Sequence, residues 1–325
     1  MLAYVIRRLL YAIPILIGVN FITFALFFMV NSPDDMARMH LGQKHVTADA
    51  IQQWKIKEGY DKPLFINPAQ SGITQFTDTL FFTKSLSLFT FDFGQSDQGR
   101  DISHDIFERM WPSLALAIPS LLVGLAVNIT YALLIALFRG TFFDYFSMTL
   151  CVIMMSISGL FYIIVGQFLL GKLLNLVPIS GYHAGLASMK FLILPIIIGT
   201  IAGIGSGTRW YRTIFLEEIS KEYVRTARAK GLSELAVLFK HVLRNALIPI
   251  LTGVVVIIPT LFMGSLIMES FFGIPGLGSY TIDAIQQQDF DIVRVMVFLG
   301  TVFYIIGLIL TDISYTMVDP RVRLK

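Results

Sequence analysis

The stretch "PSLALAIPSLLVGLAVNITYALLIALF", residues 112–138, runs for 27 residues without a charged side chain. An α-helix needs about 20 consecutive apolar residues to cross the roughly 30 Å hydrocarbon core of a bilayer. The strands of an outer-membrane barrel would instead alternate apolar and polar residues over about ten positions. The stretch therefore predicts a membrane-spanning helix.

Five further runs of this kind occur along the chain of 325 residues, at residues 9–30, 145–174, 191–208, 246–270 and 292–314. Of all residues, 55% are hydrophobic and 14% are charged, whereas soluble domains contain about 25% charged residues. The first run follows Arg7 and Arg8 but is too long for a signal peptide and lacks a small-residue cleavage pattern, so we expect it to be retained. The sequence predicts an all-α polytopic membrane protein with six transmembrane helices.

Lysine and arginine residues are concentrated in alternate connecting segments. The segments on the same side as the N-terminus hold fourteen of them, and the two short loops on the opposite side, residues 175–188 and 271–291, hold none. Because short cytoplasmic loops are enriched in Lys and Arg, both termini are predicted to be cytoplasmic. The net charge of +3 reflects this topology and does not indicate nucleic-acid binding.

The predicted spans divide the chain into four regions. Residues 1–30 form an N-terminal tail and the first span, residues 31–111 a small external segment or domain, residues 112–314 a core of five spans, and residues 315–325 a cytoplasmic tail. In the external segment, Thr47 is a predicted N-cap for a helix at residues 48–58. Residues 209–245 form the sizeable cytoplasmic loop of the core.

This cytoplasmic loop contains the basic stretch "EYVRTARAKGLSELAVLFKHVLRNALIPI", residues 222–250. Its periodicity predicts a helix that ends near Gly231 and a second helix capped by Ser233. A helix lying on lipid would carry large apolar side chains on one face, whereas the first helix here offers Ala227 and Ala229. Small side chains allow a partner to approach closely, so the loop is predicted to dock onto a protein.

The sequence gives little support for catalysis. The single cysteine, Cys151, lies in a predicted span, and no spacing of His, Cys or Asp suggests a metal site. The segment "GQFLLGK", residues 166–172, has the spacing of a phosphate-binding loop, but Leu173 replaces the Ser or Thr that would hold magnesium. Its glycines are expected to serve close helix packing. We therefore predict no enzyme activity and no ATP site in this chain.

Several stretches jointly resemble one family over most of the chain. They are "YVIRRLLYAIPILIGVNFITFAL", "GYDKPL", "FDFGQS", "VPISGY", "EYVRTARAKG", "KHVLRNALIP", "FFGIPGLGSYTIDAIQQQDF" and "DISYTMVDPRVR". Together they resemble the permease subunits of bacterial ABC importers, specifically the B-subunit type of the dipeptide, oligopeptide and nickel family. The resemblance implies a type I ABC importer permease fold with a multi-pass location in the bacterial inner membrane.

The resemblance also implies partners and site residues. The expected partners are a second homologous permease in a heterodimer, two ABC ATPases that bind ATP and Mg, an extracytoplasmic solute-binding protein and the lipid bilayer. The residues that match the family's ATPase-coupling helix are Glu222, Tyr223, Arg225, Thr226, Ala227, Arg228, Ala229, Lys230 and Gly231. Candidates for the translocation path are Asn128, Ser265, Met268 and Glu269, and candidates for an external gate or a binding-protein contact are Phe272, Pro275, Gly276, Leu277 and Gly278.

Two departures from the family pattern affect how far the resemblance extends. Ile274 stands where the family usually has Trp, and the broader Glu-Ala-Ala pattern of importer loops survives only as Ala227 and Gly231. Peptides are the expected substrate, and nickel chelates and oligosaccharides are alternatives carried by relatives. A self-sufficient secondary carrier is the rival class, but it would be expected to show inverted repeats, and no convincing repeat is visible.

Overall fold

The computed structural model describes residues 2–30, 32–42, 46–183 and 185–318. These residues are predominantly helical and include no β-strand; an isolated bridge joins Gln95 and Asp101. The prediction of an all-α protein is confirmed. The last seven residues of the predicted cytoplasmic tail lie outside the described residues.

The helices are numbered in chain order. They are α1 (Leu2–Val30), α2 (Pro33–Leu41), α3 (Ala48–Glu58), α4 (Thr74–Thr77), α5 (Ile102–Leu137), α6 (Phe142–Ser156), α7 (Gly159–Gly166), α8 (Met189–Ile219), α9 (Glu222–Ala229), α10 (Glu234–Ala236), α11 (Leu243–Ile257), α12 (Leu266–Phe272), α13 (Leu277–Gln287) and α14 (Phe290–Val318). π-Helical turns at Phe81–Ser85, Gln167–Leu173 and Val237–Val242, and 3-10 turns at Ser87–Thr90, Gly185–Ser188 and Ile258–Met263, supplement them.

Among the described residues, five helical stretches are long and apolar enough to cross a membrane. They are Ile6–Phe28, Ile102–Leu137, Met189–Ile219, Glu234–Met263 and Phe290–Ser314. A sixth forms when Phe142–Ser156 and Gly159–Leu173 are counted as one span, although these two segments meet at an angle of 91°. Ile157 and Ser158 cause this bend, because both residues adopt extended backbone angles. The described residues thus contain five candidate spans, or the predicted six when the bent pair is counted as one.

The fifth span differs from its prediction. The sequence placed it at residues 246–270, but the helical stretch covers Glu234–Met263 and α12 is a separate helix. Gly264 has φ 69° and ψ −177°, and Ser265 is extended, so the helical path ends there. Since the apolar pattern continues through this turn, hydropathy alone does not reveal it.

The chain divides into two compact units. The first comprises Met1–Phe107 with Asp283–Ile305, and its core includes the buried side chains of Phe24, Met36 and Leu80. The predicted helix α3 is confirmed here, with Thr47 Oγ1 accepting a hydrogen bond from Ala50 N at 3.3 Å. The external location of residues 31–111 stays a prediction.

The second unit comprises Glu108–Ile282 with Ile306–Lys325. Glycines of α8 let neighbouring helices approach closely: a Cβ on Gly205 would lie 2.6 Å from the carbonyl oxygen of Cys151, and one on Gly207 would lie 2.7 Å from Cγ of Asn128. Gly166 likewise leaves space for Ile198. The packing role expected for the glycines of "GQFLLGK" is thereby supported.

Candidate functional site

Helix α9 rests on a buried apolar core. Val224 and Ala227 lie three residues apart on one face and are buried, and they belong to a cluster that includes Phe215 of α8, Val237 and Leu238. The same cluster reaches the first turns of α11 through Ala246. Ala227 thus lies on the inner face of α9, and its part in coupling stays a prediction.

The corner between α9 and α10 is held by local interactions. Gly231 has φ 80°, a left-handed conformation that favours glycine, and Ser233 Oγ accepts a hydrogen bond from Ala236 N at 3.4 Å. Arg228 donates two hydrogen bonds to the carboxylate of Glu234, at 2.8 Å from Nε and 3.0 Å from Nη2. The predicted glycine stop and serine cap are both confirmed.

The outer face of this corner is exposed and mixed in chemistry. Of the coupling residues predicted from the sequence, those exposed are Glu222, Arg225, Thr226, Arg228, Ala229, Lys230 and Gly231. Three large apolar side chains join them: Leu232, Leu235 and Phe239 are 40%, 56% and 58% exposed. We call Leu232, Leu235 and Phe239, with the exposed residues of 222–231, the loop surface.

Leu235, Leu238 and Val242 continue one apolar stripe in the sequence of the loop, but the structure places them in different surroundings. Leu238 and Val242 are buried, whereas Leu235 is exposed. The chain passes from α10 into a π-helical turn at Val237–Val242, so the three side chains do not follow one regular α-helical stripe. A π-helical turn changes the angular spacing of side chains. A local departure from the 3.6-residue period gives no signal in the hydropathy pattern, so the sequence could not place this side chain.

Tyr223 is fixed beside a buried carboxylate at the start of α9. Its hydroxyl donates a hydrogen bond to Glu218 Oε2 at 2.5 Å, and Lys221 forms an ion pair with the same carboxylate. Burial raises the pKa of Tyr223 to about 12, and the hydrogen bond to Glu218 adds to the effect. The group ties the end of α8 to α9, since Glu218 belongs to α8.

A cavity of about 410 Å³ lies between α5, α8 and the segment 260–269. The predicted path residues Asn128, Ser265, Met268 and Glu269 all line it. The remaining lining residues are Ser113, Leu116, Ala117, Ser120, Leu121, Gly124, Gly199, Thr200, Gly203, Thr260, Leu261 and Gly264. Within this described lining, Glu269 alone is ionisable, and apart from Glu269 and the amide of Asn128 the lining side chains are apolar or bear a hydroxyl group.

The polar groups of Asn128 already have partners in the protein. Its Nδ2 donates to the carbonyl oxygen of Gly124 at 2.8 Å, and its Oδ1 accepts from Thr208 Oγ1 at 3.1 Å. Thr208 belongs to α8, so this hydrogen bond joins α5 to α8 within the unit. A role for Asn128 in the path stays a prediction.

The predicted gate residues form a tightly packed turn between α12 and α13. Phe272 and Leu277 are buried, as are Gly276 and Gly278, whereas Pro275 is exposed. The carbonyl oxygen of Phe272 accepts from Gly181 N at 2.8 Å. Contact between this turn and a binding protein stays a prediction.

Comparisons with known proteins agree with this architecture. Residues 128–324 match the family model of the binding-protein-dependent transport system inner membrane component, and residues 1–112 match the model of the N-terminal part of such membrane components.

A relative from Brucella abortus (strain 2308) is 32% identical over 329 residues, 99% of each chain. The oligopeptide transport system permease protein AppB of Bacillus subtilis (strain 168) is 30% identical, with 99% of this chain and all of that protein aligned. The dipeptide transport system permease protein DppB of Escherichia coli (strain K12) is 28% identical over the whole of both chains. The chain belongs to the family of binding-protein-dependent transport system inner membrane components, as a multi-pass permease subunit.

Proposed function

We propose that this permease subunit translocates peptides or peptide-like compounds across the bacterial inner membrane, driven by separate ATPase subunits. The names of the relatives from Bacillus subtilis and Escherichia coli, which specify oligopeptide and dipeptide transport, support the substrate class. In this proposal a second homologous permease completes the pore, and an extracytoplasmic binding protein delivers the solute. The partner ATPases bind ATP and Mg.

The loop surface is the observation that carries the proposal. It includes the exposed apolar residues Leu232 and Leu235 and the exposed charged residues Arg225 and Lys230, a combination suited to an apolar contact with a polar rim. Its inner face is anchored in the same core as Phe215 of α8. A partner that pulls on this corner therefore acts directly on the spans.

The cavity is compatible with a peptide substrate. Serine and threonine hydroxyls around it, including those of Ser120, Thr200 and Thr260, can bond to amide N–H and C=O groups that every peptide shares. Apart from Glu269, whose carboxylate oxygens accept backbone N–H groups, the lining has no ionisable side chain that would favour one charge on the solute. In the proposed complex the path lies between the two permease subunits.

Transport by the reconstituted complex tests the substrate class. The chain is to be assembled in proteoliposomes with its second permease, ATPases and binding protein, and uptake of labelled di- and oligopeptides measured with and without ATP. We expect ATP-dependent peptide uptake. Uptake of nickel chelates or oligosaccharides in place of peptides would overturn the substrate class, and uptake by this chain without ATPases would show a self-sufficient carrier.

A charge placed on the loop surface tests the docking role. Leu235→Asp leaves the buried core untouched, because Leu235 is exposed. We expect it to reduce co-purification of the ATPases and peptide-stimulated ATP hydrolysis by at least about tenfold, since central apolar anchors dominate binding. Leu41→Asp, at an exposed leucine of α2 outside the loop, is the matched control. Equal behaviour of the two variants would refute docking at Leu235.

A further inference from the structure

The N-terminus of α13 is capped by two side chains that come from other helices. The first N–H groups of an α-helix have no partner within the helix. Here Leu277 N donates to Ser113 Oγ of α5 at 2.8 Å, and Gly278 N and Ser279 N donate to Glu269 Oε2 of α12 at 2.7 and 3.1 Å. Side chains from α5 and α12 thus accept the first three N–H groups.

The second oxygen of the same carboxylate holds a different turn. Glu269 Oε1 accepts from Ser265 N at 3.0 Å, directly after the break that ends the fifth span. Glu269 is fully buried. A buried carboxylate is costly unless hydrogen bonds satisfy it, and here three backbone N–H groups do so beside the positive end of a helix dipole.

Glycines make the space that this carboxylate occupies. A Cβ on Gly264 would overlap Oε1 of Glu269, and a Cβ on Gly276 would overlap Oε2 of Glu269 and Oγ of Ser113. Gly264 and Gly276 therefore leave the space that the carboxylate of Glu269 occupies. Ser113, Glu269 and the three N–H groups of residues 277–279 form what we call the Glu269 latch.

The Glu269 latch sits in the wall of the cavity. The cavity lining includes Ser113 of α5 and, from the segment 264–269, Gly264, Ser265, Met268 and Glu269. The latch therefore connects α5 to that segment in the cavity wall. The carboxylate oxygens face the N–H groups of the chain's own backbone. A solute in the cavity would therefore meet Ser265 and Met268 without finding a free carboxylate.

We propose that Glu269 is a positioning residue that fixes the start of α13 and the Ser265 turn against α5, and thereby sets the shape of the cavity wall, without binding the solute. The proposal rests on the transport function proposed above. It differs from the sequence-based expectation that Glu269 contacts the solute along the path. The two roles give different results when the carboxylate is neutralised.

Cysteine labelling of the full chain measures the latch without any transport. Ser279→Cys places a thiol of similar size at a buried position of α13 and retains the N–H that Glu269 accepts. The native thiol, Cys151, is buried and is to be replaced by Cys151→Ala. The rate of reaction with a membrane-impermeant maleimide is then compared with and without Glu269→Gln in detergent-solubilised protein.

We expect Glu269→Gln to raise the labelling rate at least about tenfold, because hydrogen bonds to a charged group are lost and an amide N–H₂ is turned toward N–H donors. Ser113→Ala, which removes a single hydroxyl, is the milder variant and should raise the rate about threefold. Thr281→Val is the matched control, because the Thr281 hydroxyl bonds within α13, to Leu277 O at 2.8 Å, and should leave the rate unchanged.

Transport kinetics in the assembled complex separate positioning from solute contact. If Glu269 positions the wall, Glu269→Gln lowers the maximal uptake rate to the same extent for cationic, neutral and anionic peptides, with half-saturating concentrations unchanged. Unchanged labelling together with a changed half-saturating concentration for one charge class overturns the proposal. If wild-type complex transports no peptide, the proposed substrate fails while the labelling result still decides whether the latch exists.

Discussion

Two corners of the molecule connect helices through glycine: the corner between α9 and α10, and the corner between α12 and α13. Their glycines have different surroundings. A Cβ on Gly231 would meet nothing within 4 Å, and the residue needs glycine for its φ of 80°. Gly276 and Gly278 are surrounded by the atoms of Glu269, Ser113 and Ser265. The first corner is open around its glycine, whereas the second encloses the carboxyl group of Glu269.

The largest expected effect is at Gly278. A Cβ there would lie 2.6 Å from the backbone C of Ser265 and 2.7 Å from Leu266 N, so the backbone itself has to move. We expect Gly278→Ala to destabilise the protein by at least about 3 kcal/mol, measured by thermal unfolding in detergent. Gly253→Ala, in α11 with open space around it, should be neutral or stabilising by up to about 1 kcal/mol. Similar losses in both would refute the contrast.

Gly276 should show a smaller effect that depends on its neighbour. Its Cβ would overlap the ends of two side chains, Glu269 and Ser113, and no backbone atom. We expect Gly276→Ala to cost about 2 kcal/mol in an otherwise unchanged chain. In a Glu269→Ala background the same change should cost at least about 1 kcal/mol less, because the crowding is gone. Additive costs in the double-mutant cycle would show that the carboxylate does not explain this glycine.

Gly231→Ala should cost about 1 kcal/mol, since the strain comes from the left-handed backbone and not from crowding. Gly231→Asn is the matched variant, because asparagine tolerates this conformation better, and it should cost less than the alanine. Both values come from the same unfolding measurement. A cost at Gly231 as large as that at Gly278 would mean that this corner is packed inside the protein.

Tyr223 gives the smallest effect, at high pH. Its pKa is raised from the ordinary value of 10.0 to about 12, so the folded state favours the protonated phenol. The stability from this group is fully present below pH 10 and is lost as the pH rises to about 12. Tyr223→Phe should remove that part of the pH dependence in unfolding curves recorded between these values. An unchanged slope would indicate that the hydrogen bond to Glu218 does not hold the phenol.

The parts of the fold that could be predicted from the sequence depend on neighbours along the chain. The cap at Thr47 and the stop at Gly231 are local signals of this kind. The bend at Ile157 was not predicted, because the residues on both sides of it are equally apolar and hydropathy carries no information about backbone angles. Six apolar runs nevertheless predicted the number of spans, because length and apolarity are what a bilayer requires.

In the candidate site, too, local features could be predicted from the sequence, whereas contacts between distant residues could not. Ala227 and Ala229 were grouped by their small side chains, but which of them is buried depends on the core that includes Phe215 of α8: Ala227 is buried and Ala229 is exposed. Glu269 was predicted as a candidate for the translocation path, but Ser113, whose hydroxyl accepts the neighbouring N–H group of Leu277, lies in another helix far away in sequence. A single sequence does not indicate which residues far apart along the chain are in contact, so the latch could be identified only from the structure.

Helix α8 extends from the core under α9 to the wall of the cavity. Phe215, near its end, is fixed in the core under α9, and Thr200, fifteen residues earlier, lines the cavity. At 1.5 Å per residue this is a lever of about 22 Å. A rigid tilt of α8 by about 5° around Phe215 would therefore displace Thr200, on the cavity wall, by about 2 Å.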